Sequence, residues 1–212
     1  MRFSDSWAVR RFRNVFSPPV ALDRHCWTLL GVLAIIAVTA AYQGSVPTAS
    51  LTYVAKEFGS STRSQSQALA AIRLDIVLAL IAVQFADRLG RRRLLLFTST
   101  IAPMLTAACA LAPSLGVFAV LQVIARSMVT ATLILVTVMA VEGLPAHART
   151  WASALLVVAA ALGTAIAVGS VFFADRSLRV WRLFYLPPLL GLLTLPFEIG
   201  RASWRERVLV QV

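Results

Sequence analysis

The feature that most constrains this chain is a repetition of long uncharged runs. No Asp, Glu, Lys or Arg occurs from Cys26 to Ala55 or from Thr150 to Ala174, and Leu94 to Val141 holds a single charge, Arg126. About 20 mostly apolar residues in helical conformation cross the hydrocarbon core of a bilayer. A run of 48 residues with one charge is too long for one crossing and suits two. Charged residues make up 14% of the chain, against roughly 25% for a soluble domain. The lipid bilayer is therefore the expected surrounding, and α-helices are the elements that satisfy every backbone hydrogen bond within one segment.

Six crossings are expected, in an all-α membrane protein. The first runs from Cys26 to about Gly44, and Pro47 to Gln67 reads as a polar connection. The second covers Ala68 to Ala86 and carries two charges, Arg73 and Asp75. The third and fourth divide Leu94 to Val141 at Ala112, Pro113 and Ser114, where proline favours a turn. Glu142 to Arg149 is a polar loop, and Thr150 to Ala174 is the fifth span. Asp175 to Arg182 connects it to a sixth apolar stretch, Leu183 to Phe197, extended by Val180 and Trp181 and interrupted by Pro187 and Pro188. In this scheme residues 1–25 are a cytoplasmic tail, 26–197 one membrane domain and 198–212 a non-native tail.

A net charge of +11 would suggest nucleic acid in a soluble protein. Here the arginines fall mainly between apolar runs, where they set orientation, and a nucleic-acid partner is rejected. With the N-terminus inside, the inner segments collect Arg2, Arg10, Arg11, Arg13, Arg24, Arg88, Arg91, Arg92, Arg93, Arg149 and three arginines of the C-terminal tail, and the outer ones Lys56, Arg63, Arg176, Arg179 and Arg182. That imbalance places the N-terminus in the cytoplasm. Lys56 is the sole lysine beside many arginines, a bias of GC-rich genomes that points to a bacterial-type inner membrane. The apolar run after Arg13 is too long for a cleaved leader. Cys26 and Cys109 fall toward opposite faces, which excludes a disulfide or a metal pair.

Between the second and third spans stands Asp87-Arg88-Leu89-Gly90-Arg91-Arg92-Arg93. Gly90 permits a tight reversal, Asp87 can accept charge-assisted hydrogen bonds, and the arginines hold the loop on the inner side, an arrangement that suits a two-position latch. This stretch resembles the inner-loop signature of the major facilitator superfamily. Arg126 in span four, and Glu142, Pro145 and Arg149 after it, resemble that family's pattern as well. The resemblance covers about Cys26 to Phe197 and implies half of a twelve-helix fold, with secondary active transport of a small solute, coupled to an ion or proton. It departs from the family at Val83, where glycine is usual. In span five, Ala159, Gly163, Thr164 and Ala167 follow the drug–proton antiporters only loosely, with Thr164 in place of proline, so the subfamily and substrate stay open.

At about 1.5 Å per residue, Asp75 lies some 18 Å from the inner edge and Arg126 about 16 Å from the outer one. Both sit near mid-membrane, where an ionisable side chain is a functional candidate by default. Asp75 is a candidate proton carrier, and Arg126 a candidate holder of an anionic substrate group. The alternative is a structural pair that sets helix register. Arg73 points to nearly the opposite side and snorkels outward. Gly163 and Gly169 allow close helix approach. Tyr42 and Gln122 are polar candidates for the lining of a cavity. An intramembrane hydrolase would need a nucleophile and base or paired aspartates; His25 and His147 fall at membrane edges, and no phosphate-binding glycine loop occurs. An enzyme is not expected, and no cofactor is indicated.

Glu198 to Val208 is similar to the conceptual translation of a sequencing adaptor and is left out of the fold. The expected partner is accordingly a missing C-terminal half. The alternatives are a second copy that completes the site by dimerisation and a six-span membrane protein that transports nothing.

Overall fold

The structure, a computed structural model, describes residues 22–59, 61–84, 90–170 and 180–194. Both tails, Asp87 and Arg88 lie outside the described residues. Those described form a helical membrane-type bundle. Helix α1 spans Arg24–Glu57, α2 Thr62–Ile72, α3 Asp75–Gln84, α4 Arg91–Cys109, α5 Leu115–Gly143 and α6 Arg149–Ser170. Two 3₁₀ stretches follow, Val180–Tyr185 and Pro187–Thr194. Among the described residues, four segments are long and apolar enough to cross a membrane: α1, the α2–α3 run Arg63–Gln84, α5, and Ala146–Ser170.

Two sequence boundaries need correction. The expected polar connection after Gly44 is helical through Glu57, because Pro47 lies inside α1 and is buried there. A proline removes one backbone donor, and membrane helices tolerate that where neighbouring groups take up the freed partners. Next, the expected span Ala68 to Ala86 is two helices. Arg73 and Leu74 form a turn between α2 and α3, where Leu74 N donates to Ala71 O at 3.0 Å in place of a full α-helical bond. The division at Pro113 was legible: α4 stops at Cys109, and the Ser114 hydroxyl caps α5 by accepting from Val117 N at 3.3 Å.

The expected sixth helix is 3₁₀ where described. Pro187 and Pro188 supply no N–H, and the narrower coil rises about 2.0 Å per residue. The 15 residues of 180–194 therefore reach about 30 Å, close to the hydrocarbon thickness that an α-helix of that length would not span.

Long-range contacts define the two ends of the bundle. At one, Trp27 meets Trp151 edge to face at 5.8 Å, Gly143 lies against Leu29, and Arg91 pairs with Glu142. At the other, Arg182 reaches Glu57, Ala110 and Ala112. The first is the basic end of the bundle and the second its Glu57 end. The central helix is α1, packed on α5 and α6, with α4 and the 3₁₀ stretches on a further side and α3 held against α5. Leu30, Leu33, Ile36, Leu95, Leu135 and Leu156 fill the core toward the basic end. Tyr42, Val46, Val54, Phe118, Trp181 and Tyr185 fill it toward the Glu57 end. Between them the packing narrows to Ala40, Ala102 and Val129.

The apolar side chains outside the core face outward. Ile76, Val77, Leu80 and Ile81 of α3, and Val157, Leu162 and Ile166 of α6, are exposed on the bundle surface, as expected where the solvent is lipid rather than water.

Candidate functional site

Asp75 opens α3 at the break in the α2–α3 run, and its carboxylate turns into the bundle toward α5. It is 1% exposed. Arg126, a little over one-third of the way along α5, donates from Nε to Asp75 Oδ2 at 3.2 Å. Its Nη1 donates at 2.6 Å to the Gly44 carbonyl of α1, and the Thr130 hydroxyl donates to Asp75 Oδ2 at 3.3 Å. Three elements thus meet at one ion pair. Thr130 lies one turn beyond Arg126 on the same face of α5, while the Gly44 carbonyl can accept a guanidinium because it has a second lone pair beyond the one used in the helix.

The pair is unevenly satisfied. Asp75 Oδ1 is buried and makes no hydrogen bond, although a carboxylate offers about four acceptor positions. One turn toward the Glu57 end, Gln122 is 1% exposed and its amide nitrogen also lacks an oxygen partner. The nearby group is the Cys109 thiol, a weak acceptor. An unmet acceptor and an unmet donor therefore lie on either side of Arg126 in the interior, where each carries a desolvation cost of roughly 1–3 kcal/mol.

The remaining sequence candidates fall elsewhere. Tyr42 is buried on α1 and donates its hydroxyl to Phe184 O at 2.9 Å, which ties α1 to the first 3₁₀ stretch. Arg73 is exposed on the outer surface of the bundle, two residues from Asp75. Gly90 adopts φ 88° at the start of α4, the left-handed region that favours glycine. Arg91, in the first turn of α4, pairs with Glu142 in the last turn of α5, and Arg92 beside it is half-buried and engaged in contacts. Arg149 donates from Nε to Leu144 O at 3.2 Å, closing the turn between α5 and α6. Asp75 and Arg126 are therefore brought together, and the basic-end residues form a separate cluster.

That cluster contributes little to stability. The Arg91 and Glu142 side chains are 40% and 54% exposed, and pairs of this kind are worth about 0–1 kcal/mol. Arg91→Gln is expected to lower unfolding stability in detergent by under about 1 kcal/mol. A larger loss would show that the pair is integral to the fold.

Sequence reasoning missed several polar contributors. A cavity of about 10 Å³ between α1, α4, α5 and the second 3₁₀ stretch is lined by Thr39, Gln43, Ser99 and Thr132 among others, a volume no larger than about one water molecule. Gln43 accepts from Thr106 at 3.2 Å, and Ser50 bonds the Tyr185 hydroxyl at 2.8 Å. All these residue types occur freely in membrane helices, so nothing in the sequence sets these apart. Among the described residues, no group of His, Cys, Asp and Glu could hold a metal ion.

Compared with known proteins, the chain matches no family model and no curated sequence.

Proposed function

We propose that this chain is the six-helix N-terminal half of a secondary active transporter of the major facilitator type, oriented with its N-terminus in the cytoplasm of a cell of bacterial type. In this reading Asp75 and Arg126 form the charged centre of the transport path for a small solute coupled to an ion or proton. The observation that carries it is the buried Asp75–Arg126 pair with an unmet carboxylate oxygen. An ion pair whose only task is to fix register would be expected to have its acceptors filled. The break in the α2–α3 run beside Asp75 adds support, because interrupted membrane helices occur where irregular backbone lines a site.

In this mechanism Asp75 exchanges a proton at its free oxygen, and its hold on Arg126 weakens as it does so. Arg126, still anchored to Gly44 O, is then released to take an anionic or polar substrate group. The inner loop, with Asp87, Arg88, Gly90, Arg91 and Arg92, would work with Glu142 and Arg149 as the latch at the cytoplasmic end. A second six-helix unit, either a C-terminal half or another copy, would supply the opposite wall.

The test is solute-dependent proton flux. The chain, and the full-length product of its gene, are placed in vesicles loaded with a pH-sensitive dye and challenged with sugars, organic cations and organic anions. One solute class is expected to move the dye signal, and Asp75→Asn to reduce that flux at least tenfold. A silent panel, or a flux indifferent to Asp75→Asn, would reject the reading.

A further inference from the structure

The first of the two C-terminal 3₁₀ stretches, Val180–Tyr185, is held by contacts from three other parts of the bundle: α1, the end of α4 and α5. Arg182 donates to Glu57 Oε1 of α1 at 3.0 Å, to Ala110 O at 2.8 Å and to Ala112 O at 3.4 Å beyond the end of α4. Its guanidinium also stacks on its own neighbour Trp181, 5.1 Å from the ring centroid. The Trp181 indole N–H donates to Glu57 Oε2, so one carboxylate binds two successive residues of the stretch. Deeper in, Phe184 O accepts from Tyr42, and the Tyr185 hydroxyl bonds Ser50. Trp181, Tyr185 and Phe118 meet edge to face at 5.7 to 5.8 Å.

The stretch and the ion pair are held by neighbouring turns of the same two helices, α1 and α5. On α1, Gly44 holds Arg126 while Tyr42 and Ser50 hold the 3₁₀ stretch, all within about 12 Å of helix. On α5, Phe118 packs beneath Trp181 two turns from Arg126, and Gln122 lies between them. The unpartnered amide nitrogen of Gln122 therefore sits between the aromatic cluster and the charged pair. Trp181 and Tyr185 are at most 1% exposed, so the cluster is packed into the interior on the Glu57 side of the charged pair.

We propose that Val180–Tyr185 is a movable plug, held over the Asp75–Arg126 pair by a releasable clasp in which Arg182 and Trp181 share the Glu57 carboxylate. The inference rests on reading that pair as part of a transport path. A six-residue 3₁₀ stretch is longer than such coils usually run, and its anchors are side-chain bonds to other elements. Rewinding to α-helix shortens six residues by about 3 Å. Relative to Tyr185, Arg182 would move by about 1.5 Å along the axis and turn by about 60° around it, which would separate the clasp and swing Trp181 away from Phe118. With Glu57 neutralised or removed, the two positions should approach balance.

Cys109, fully buried in the same cluster, is a built-in reporter. The whole chain carrying Cys26→Ser is placed in lipid nanodiscs, which leave both faces open, and Cys109 is reacted with a charged methanethiosulfonate. Labelling needs no substrate, so the outcome is independent of the flux test. Slow labelling is expected, accelerated at least tenfold by Glu57→Gln or Arg182→Gln and about threefold by Trp181→Phe, which keeps one aromatic ring but deletes the pyrrole ring and its N–H. Buried Thr98, toward the basic end of α4, supplies a control as Thr98→Cys in a Cys109→Ala background. It should label no faster when the clasp is broken. Unchanged labelling of Cys109 in folded variants would overturn the proposal, as would equal acceleration at position 98, which would make the clasp a general structural tie. Should the charge-removing variants fail to fold, the Trp181→Phe rate decides by itself.

Discussion

Arg126→Ala is expected to destabilise the chain by about 3–5 kcal/mol, measured by denaturant titration in mixed micelles. The Asp75 carboxylate would be left 1% exposed, with Thr130 as its remaining partner at 3.3 Å. A buried charge whose counter-ion has been removed bears its full desolvation cost, which exceeds the net worth of the intact pair. Asp75→Asn should cost less, because Arg126 keeps its bond to Gly44 O and its side chain is 19% exposed. The double variant Asp75→Asn/Arg126→Ala is expected to recover much of the loss, since it leaves no uncompensated charge. The coupling energy from that cycle then measures the pair itself. Costs that simply add, or an Arg126→Ala variant within about 1 kcal/mol of the parent, would mean that water or lipid headgroups reach the site. The comparison also separates stability from transport. Asp75→Asn is the variant whose flux is informative, because it is the one expected to stay folded.

The second large effect is at Gly163. A Cβ there would stand 2.1 Å from the Val38 carbonyl oxygen and 3.1 Å from Tyr42 N, both backbone atoms of α1. Rotation of a side chain cannot relieve such a contact, so α6 must move away from α1. Gly163→Ala should cost at least about 1–3 kcal/mol, the range for overpacking, and Gly163→Val more. Gly169, six residues on, has open space around its would-be Cβ, and Gly169→Ala should be close to neutral. Thermal unfolding of the three variants in one detergent checks the contrast. If Gly163→Ala proved as harmless as Gly169→Ala, the α1–α6 crossing would be wider than described.

This pair of glycines shows where sequence reading stops. Both sit in the same charge-free run, and either could have supplied a close approach. Ala152, Leu156, Ala159, Gly163 and Ala167 are the buried positions of α6, a stripe at helical spacing, and Gly169 lies outside it. Which face of an alanine-rich helix is inward is weakly written in residue type, because lipid and protein interior are equally apolar. The charged residues were more legible. A carboxylate and a guanidinium within apolar runs, each at similar depth, have few places to go except toward each other, and Asp75 and Arg126 do meet. Glu57 and Arg182 are different: both fall at the ends of apolar runs, where a solvated charge costs little, and nothing in their spacing forecasts that 125 residues of chain would close into one contact.

Residue pattern was enough for the helical, apolar class, for the turn at Pro113 and for the possible meeting of the two interior charges, because each follows from the length of apolar runs and the cost of charge in an apolar surrounding. Tertiary structure alone decided that α1 continues through Pro47, that the second run breaks at Arg73, and that the last described segment is 3₁₀. It also decided that Gly44 O and Thr130 join the ion pair. Those outcomes depend on which neighbouring backbone and hydroxyl groups are present to accept what a proline, a break or a buried charge leaves unmet, and that is a property of packing between distant segments rather than of any local pattern.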